Sequence, residues 1–156
     1  RIYAGRSSKY SLLNSGILAG TDDLREAASL ENVPLLLEQG ANIYAYDPVG
    51  AFNFAKVYPE GVNGTGSIIY ASNVEEALKD ANVCFIFTEW GEIKAITPTL
   101  YTELMRTPLV FDGRNIYDVK EMELAGVEYH SIGRPSSKRT RVKETEDFEL
   151  QTFKSE

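Results

Sequence analysis

In the stretch Val110-Phe111-Asp112-Gly113-Arg114-Asn115-Ile116-Tyr117-Asp118, an apolar segment leads directly into a glycine turn that carries an aspartate and an arginine. The apolar start predicts a buried strand, and the turn follows its carboxyl end. In open α/β sheets, ligands bind in the crevice outside the carboxyl ends of the strands. An arginine delivered there suits a phosphate, because its planar guanidinium can bind two oxygens at once. The stretch therefore predicts an α/β sheet with an anion site at one strand end.

Strand patterns and helix patterns alternate on both sides of this stretch. Residues 83–87 are continuously apolar, which is typical of a strand buried on both faces of a parallel sheet. Alternation of this kind implies right-handed βαβ crossovers. We therefore predict an α/β fold: a doubly wound, Rossmann-like, mostly parallel sheet of about six strands with helices on both faces. Further strands are expected at 16–19, 41–46, 67–71, 109–111 and 127–132, and helices at 29–39, 49–58, 72–81, 97–105 and 119–125.

Capping signals indicate where several of these helices begin and end. Ser29 can cap the first helix and Gly40 can end it, while Pro34 lies near its start, where a proline costs less than in the centre. Ser72 and Glu75 form a capping box for a later helix. A loop with glycines at 61, 64 and 66 is expected between the second helix and the next strand.

The length of 156 residues suits one domain with a real core and is short for two. We expect a poorly ordered or divergent N-terminal segment at 1–15, the α/β domain at 16–133, and a charged C-terminal tail at 134–156. The chain begins with Arg1 rather than Met and has no signal-peptide pattern. It is therefore expected to be a piece of a longer protein.

Composition excludes several classes of function. A hydrophobic fraction of 43% and a charged fraction of 25% are those of an ordinary soluble globular protein. The net charge of −7 argues against a general nucleic-acid surface, so an anion site must be a local basic pocket. The single cysteine cannot form an internal disulfide, which fits a cytoplasmic protein. No apolar run approaches about 18 residues, so no membrane span is expected.

No complete dinucleotide site is predicted. The Gly-x-Gly-x-x-Gly fingerprint that should follow the first strand is absent. Asp47 ends the second strand, where a Rossmann domain holds its ribose-binding acid. Without the glycine loop, a turn-forming Asp47-Pro48 pair is the favoured interpretation.

The residues that most often carry catalysis are better explained as structural. Cys84 lies in the middle of an apolar strand, where a small, inert, buried cysteine belongs. His130 is the sole histidine and has no serine or cysteine partner at a motif spacing. No Cys, His or carboxylate cluster has metal-ligand spacing. We therefore predict no catalytic residue and no metal site in this chain.

Two arginines are candidates for ligand binding. Arg25 and Arg114 each follow a predicted strand, in loops rich in Asp, Gly, Thr or Asn, although either could be an ordinary solvated arginine. For Asp112, as for Asp22 and Asp23, helix capping or orienting the neighbouring arginine is favoured over catalysis. The pair Glu89-Trp90 could close a pocket, or Trp90 could be a hydrophobic plug.

Four motifs in order carry a resemblance to a known family. The chain resembles the C-terminal domain of the UDP-glucose/GDP-mannose dehydrogenase family over about residues 16–134, and its motifs are most similar to those of the members that oxidise UDP-glucose. The matching strings are Thr21-Asp22-Asp23-Leu24-Arg25-Glu26-Ala27, Glu38-Gln39-Gly40-Ala41 with Tyr46-Asp47-Pro48, Thr88-Glu89-Trp90, and Val110–Asp118, and the match ends in Tyr129-His130-Ser131-Ile132-Gly133-Arg134.

The resemblance implies an enzyme of which this chain is one part. In the family, an N-terminal Rossmann domain binds NAD, a central helical domain makes the dimer, and the C-terminal domain holds UDP. The enzyme oxidises the C6 alcohol of the sugar to a carboxylate with two NAD, through a thiohemiacetal on a cysteine of the other domains. This chain is then expected to be catalytically silent alone. Its implied partners are UDP-glucose or a related UDP-sugar and the N-terminal and central domains, with no nucleic acid and no membrane.

The resemblance also implies roles for individual residues. Arg114 matches the family arginine that contacts the UDP-sugar, with Asp112 and Gly113 beside it, and Arg25 matches the one that reaches the NAD site across the interdomain cleft. One departure is that the family's Gly-Leu-Ala-Phe-Lys-Pro-Asn is replaced here by residues 16–20, without the lysine. Two alternatives therefore stay open: an assembly or regulatory module with a decayed nucleotide site, and a domain of another nucleotide-sugar dehydrogenase.

Overall fold

The computed structural model describes residues 9–13, 28–87 and 89–138. The strands are β1 Lys9–Leu13, β2 Asn42–Tyr46, β3 Gly61–Asn63, β4 Gly66–Tyr70, β5 Val83–Ile86, β6 Leu109–Asp112 and β7 Glu128–Ser131. The helices are α1 Ala28–Glu38, α2 Ala51–Val57, α3 Val74–Leu78, α4 Gly91–Lys94, α5 Pro98–Leu104 and α6 Val119–Leu124.

All these strands join in a single sheet with the order β3-β4-β2-β1-β5-β6-β7. Neighbouring strands are parallel, except that β3 runs antiparallel to β4. From β1 the chain builds the sheet outward through β2 and β4, then returns to the other side of β1 and continues through β5, β6 and β7. The doubly wound, mostly parallel α/β fold predicted from the sequence is confirmed, and its topological switch point lies between β1 and β5.

Helices cover the sheet from both sides and form two buried clusters. On one face, Val33 of α1 and Phe54 of α2 pack in a cluster with Ile43 and Ile68 of the sheet. On the other face, the buried residues Leu78, Ile93, Tyr101 and Met122 come from α3, α4, α5 and α6 and pack in a cluster with β5 and β6. Full burial of a large apolar side chain stabilises a fold by about 1.5–3 kcal/mol, so these two layers fix the sheet that carries the strand ends.

The first strand lies earlier than the sequence predicted. It was expected at 16–19, which is outside the described residues, and β1 instead lies within the segment 1–15 that was expected to be poorly ordered or divergent. Tyr10 is only 2% exposed and pairs with both Ile43 and Val83, so β1 is the central strand. The polar Lys9 is accommodated because its ammonium donates to the carbonyls of Glu76 and Lys79. Because β1 begins with the polar Lys9, its sequence lacks the continuous apolar run that indicates a central strand.

Two predicted helix starts are displaced. α1 already includes Ser29, so this residue does not cap it, and Pro34 lies in the interior of the helix rather than near its start as predicted. The cap of α3 is Asn73 rather than Ser72: its side chain accepts from the backbone N–H of Glu76 at 2.7 Å, while the Glu76 carboxylate accepts from the N–H of Ser72. The helix start is capped by Asn73 and Glu76 rather than by the predicted pair Ser72 and Glu75.

The glycine segment before β4 is a hairpin rather than the predicted loop. β3 pairs antiparallel with β4, and Gly64 turns between them with φ +63°. Gly66 has no room for a side chain, because a Cβ there would lie 2.6 Å from the carbonyl oxygen of Ala41. At the other end, Ser137 bridges to Tyr129 on β7, so the described fold extends beyond 133. None of the helices in residues 28–87 and 89–138 is long and apolar enough to cross a membrane.

Candidate functional site

The turn after β6 is built around a buried carboxylate. Asp112 is 2% exposed, and its Oδ1 accepts from the N–H of Arg114 at 2.7 Å. Its Oδ2 accepts from the N–H of Ile116 at 2.8 Å and from the hydroxyl of Tyr129 at 2.6 Å. Gly113 donates its N–H to the carbonyl of Ile86 on β5 at 2.9 Å. The carboxylate of Asp112 is engaged by the protein itself, so it shapes the turn that presents Arg114.

A second layer of hydrogen bonds supports this carboxylate. Arg134 donates from Nη2 to the hydroxyl of Tyr129 at 2.9 Å, from Nη1 to the carbonyl of Tyr117 at 2.8 Å, and from Nε to Ser131 at 2.9 Å. Burial raises the pKa of Tyr129, and its hydrogen bond to Asp112 raises it further. The phenol therefore stays protonated and donates to Asp112 at neutral pH.

Asn115 ties the same turn to the end of β7. Its φ of +55° is a left-handed conformation, which asparagine tolerates better than most residues. Its amide donates to the carbonyl of Ile132 and accepts from the N–H of Ile132, both at 2.9 Å. The turn is thus anchored on both sides, and the backbone of Arg114 has little freedom.

The guanidinium of Arg114 meets a carboxylate from the neighbouring strand end. Nη2 of Arg114 lies 3.3 Å from Oε1 of Glu89, and Nζ of Lys94 lies 3.2 Å from Oε2 of the same residue. Lys94 and then Arg114 lower the pKa of Glu89, which is therefore ionised at neutral pH. The three side chains are 41–49% exposed, so the ion pairs are weak and open to solvent.

This group lies at the edge of the sheet where ligands bind in open α/β folds. Glu89 follows β5 and Arg114 follows β6, and Ile86 of β5 pairs with Leu13 of β1 and with Asp112 of β6. The Arg114 turn is therefore one strand away from the topological switch point. The sequence predicted Arg114 and Glu89 separately, and the structure brings them together. Thr88, Arg25, Asp22 and Asp23 lie outside the described residues.

A concave aromatic surface adjoins the turn, and the sequence analysis missed it. It has a volume of about 250 Å³. Ring centroids of Phe85 and Phe111 are 5.5 Å apart, and those of Phe111 and His130 are 4.8 Å apart, in stacked geometry. These residues share one face because each faces its neighbour across paired strands. Such a surface can accept a planar ring. It is lined by Phe85, Phe87, Phe111, Asp112, Gly113, His130, Ser131 and Ile132.

The remaining candidates have structural surroundings. Cys84 is fully buried, as predicted, and burial raises the pKa of its thiol. Oδ1 of Asp47 accepts from the N–H groups of Val49 and Gly50, which is the predicted Asp-Pro turn. His130 contacts Glu128 and Ser136 through its two ring nitrogens. Trp90 packs against the α3–α6 cluster, as a hydrophobic plug would.

Metal binding finds no support in the described part of the chain. Among the residues that the structure describes, no three His, Cys, Asp or Glu side chains come together as a metal site would require. What the end of β6 offers a ligand is the cationic side chains of Arg114 and Lys94 and the adjoining aromatic surface.

The family is established by comparison with known proteins. Residues 18–119 match the family model described as "UDP-glucose/GDP-mannose dehydrogenase family, UDP binding domain". The chain belongs to the UDP-glucose/GDP-mannose dehydrogenase family and corresponds to this domain. It is 40% identical over 124 residues to the UDP-glucose 6-dehydrogenase YwqF of Bacillus subtilis, and the matched segment covers 80% of this chain and 27% of that protein. Over 130 residues it is 36% identical to a UDP-glucose 6-dehydrogenase of Rhizobium meliloti, with coverage of 83% and 28%. The family predicted from the motifs is confirmed.

Solved structures give the same fold. A UDP-glucose dehydrogenase from the archaeon Pyrobaculum islandicum superimposes with a TM-score of 0.60 at 26% identity, covering 79% of this chain and 24% of that one. An NDP-N-acetyl-D-galactosaminuronic acid dehydrogenase from Methanosarcina mazei has the same TM-score at 22% identity, with coverage of 81% and 25%. The chain spans about a quarter of the length of the relatives it matches.

Proposed function

We propose that this chain binds the UDP part of UDP-glucose, as the nucleotide-binding domain of an NAD-dependent UDP-glucose 6-dehydrogenase. The observation that carries the proposal is the Arg114 guanidinium, held by a locked turn at a carboxyl strand end beside the switch point of the sheet. Two relatives, at 40% and 35% identity, are UDP-glucose 6-dehydrogenases, which supports UDP-glucose over other nucleotide sugars.

In this proposal Arg114 donates to the diphosphate, and its two neighbours act through the turn. Asp112 is buried and already accepts three hydrogen bonds from its own chain, so it contributes by fixing the backbone of Arg114 rather than by meeting the ligand. Gly113 keeps the turn close to β5, because a Cβ there would lie 3.3 Å from the carbonyl oxygen of Ile86. The aromatic surface beside the turn offers a place for the uracil ring, since planar rings stack on aromatic faces.

The oxidation itself is assigned to the rest of the parent enzyme. Cys84 is fully buried and has a raised pKa, which does not suit a nucleophile. NAD, which would accept the hydride, finds no complete site in this chain: the Gly-x-Gly-x-x-Gly loop is absent from the sequence, and Oδ1 of Asp47 at the end of β2 already accepts from the N–H groups of Val49 and Gly50. We therefore assign NAD mainly to another domain, with Arg25 reaching it across the cleft. The single buried cysteine also supports a cytoplasmic location.

Calorimetry on the isolated chain tests the proposal. UDP and UDP-glucose should bind weakly, because the rest of the pocket is contributed by other domains, and NAD should not bind measurably. Arg114→Ala should abolish the UDP signal, whereas Arg106→Ala, which removes an exposed arginine after α5, should leave it intact. Binding of NAD without UDP would contradict the proposal. Failure to bind either ligand, in a folded chain, would favour the alternative of an assembly or regulatory module.

A further inference from the structure

One carboxylate separates two cations beside the Arg114 turn. Oε1 of Glu89 lies 3.3 Å from Nη2 of Arg114, and Oε2 lies 3.2 Å from Nζ of Lys94. Each cation therefore meets a different oxygen of the same group. Lys94 reaches this point from the last turn of α4, a short helix that no sequence pattern had indicated.

We propose that Lys94 is the second cation of the phosphate site, and that the Glu89 carboxylate occupies the position that a phosphate takes when the nucleotide binds. The inference rests on the proposed function, because it assumes that Arg114 binds the diphosphate. A phosphate, like a carboxylate, offers separate oxygens to two donors, and it carries three strong acceptors with more charge. Arginine recognises such a group with its planar fork, and lysine with a point charge.

Exchange of one anion for the other is physically easy at this position. The side chains of Arg114, Lys94 and Glu89 are 42%, 49% and 41% exposed, so a solute can reach all three. Exposed ion pairs contribute little to stability, and therefore the carboxylate leaves at little cost. The backbone of Arg114 does not need to move, because its turn is anchored by Asp112 and Asn115.

The proposal predicts whether each of two charge-removing substitutions strengthens or weakens phosphate binding. Arg114 and Lys94 carry two positive charges against the single negative charge of Glu89, so the open site attracts an anion. Removing the charge of Glu89 removes a competitor and should strengthen phosphate binding. Removing the charge of Lys94 should weaken it. If Glu89 instead served to orient Arg114, its loss would weaken binding.

Calorimetric titration of UDP into the variants of this chain separates these cases. Lys94→Met should lower the UDP affinity about fivefold and Glu89→Gln should raise it about fivefold, the factor for one unit-charge contact at about 4 Å in water. Lys94→Arg should retain the wild-type affinity. The matched controls Lys56→Met, late in α2, and Glu103→Gln, late in α5, remove the same charges from exposed positions on other helices and should change little.

The ligand series distinguishes the phosphate from the nucleoside. Pyrophosphate binding should follow the same order as UDP binding, while any uridine binding should not respond to substitutions at 89 or 94. If the wild-type chain binds no UDP, the proposed function fails and this inference fails with it. If it binds UDP through Arg114 but Lys94→Met behaves like Lys56→Met, or Glu89→Gln weakens binding, the inference alone is overturned.

Discussion

A buried aspartate lies at the end of both β2 and β6, directly after the former and as the last residue of the latter, yet the surroundings of the two carboxylates differ. Asp47 is 5% exposed and accepts from the N–H groups of Val49 and Gly50. Asp112 is 2% exposed and accepts from two backbone N–H groups and from the hydroxyl of Tyr129. Asp112 is in addition backed by an arginine, because Arg134 donates to the hydroxyl of Tyr129.

The charges around the two turns are opposite in sign. Near the end of β2, the hydroxyl of Tyr46 donates to Glu92 at 2.7 Å. The pKa of Tyr46 is raised to about 12, by burial first, then by this hydrogen bond and by the charges of Glu92, Asp47 and Glu75. The end of β6 instead presents Arg114 and, through Glu89, Lys94. A buried aspartate therefore makes a turn, but only a cation placed on that turn makes an anion site.

The largest expected effect separates the two aspartates by stability. Asp112→Ala should lower the free energy of unfolding by about 3 kcal/mol, because it leaves three donors unsatisfied beside the guanidinium of Arg134. Asp47→Ala loses the turn hydrogen bonds to Val49 and Gly50 and should cost about 1–2 kcal/mol. Urea unfolding followed by the fluorescence of Trp90 measures both. Equal losses of unfolding free energy in the two variants would show that the hydrogen bonds of Tyr129 and Arg134 add nothing to stability.

The second effect separates the two turns by ligand affinity. Arg114→Ala should weaken UDP binding by about 10- to 150-fold, the cost of roughly 1.5–3 kcal/mol for a lost charge-assisted hydrogen bond. Arg114→Lys should recover little, because an ammonium lacks the planar fork. Titration calorimetry should show no comparable change for Asp47→Ala.

Arg25→Ala is the companion experiment for this turn. Its implied partner is a dinucleotide held elsewhere, so UDP affinity of this chain should be nearly unchanged. A loss as large as that of Arg114→Ala, with stability retained, would make the two arginines a single phosphate clamp.

The third effect is a dependence of stability on alkaline pH. The pKa of Tyr129 is higher in the folded chain than in the unfolded one, so its contribution is complete below about pH 10 and is lost as the pH rises further. Between its unfolded and folded pKa values, one such tyrosine lowers the free energy of unfolding by about 1.4 kcal/mol for each pH unit of increase. Urea unfolding between pH 9 and about 11.5 should show a shallower slope for Tyr129→Phe. An unchanged slope would indicate that Tyr129 titrates alike in both states.

The smallest effect concerns Cys84, which lies within β5 and is fully buried. Cys84→Ala should lower stability by about 1 kcal/mol through lost packing and leave UDP affinity unchanged. The native thiol should react slowly with thiol reagents, because it is fully buried. Rapid stoichiometric labelling of the folded protein would reopen Cys84 as a nucleophile.

Local sequence determined the alternation of elements and the positions of the strand ends. The apolar run Val83–Ile86 and the Asp-Gly-Arg turn at the end of β6 can be recognised from the sequence, because each depends on residues adjacent in the chain. β1 was misplaced because a central strand of five residues, with Lys9 and Ser11 in it, carries too little pattern to be read alone. It is identified as a strand by Tyr10 pairing with Ile43 and Val83.

The motifs and their order also determined the family and pointed to Arg114. What only the tertiary structure decided is which distant side chains meet that arginine. Glu89 and Lys94 reach it from the β5 end, and Tyr129 and Arg134 support it from β7 and the segment that follows. Such contacts join residues far apart in sequence, and their geometry depends on strand order and register. A one-dimensional pattern specifies neither, so the sequence identified the binding turn while the fold assembled the site.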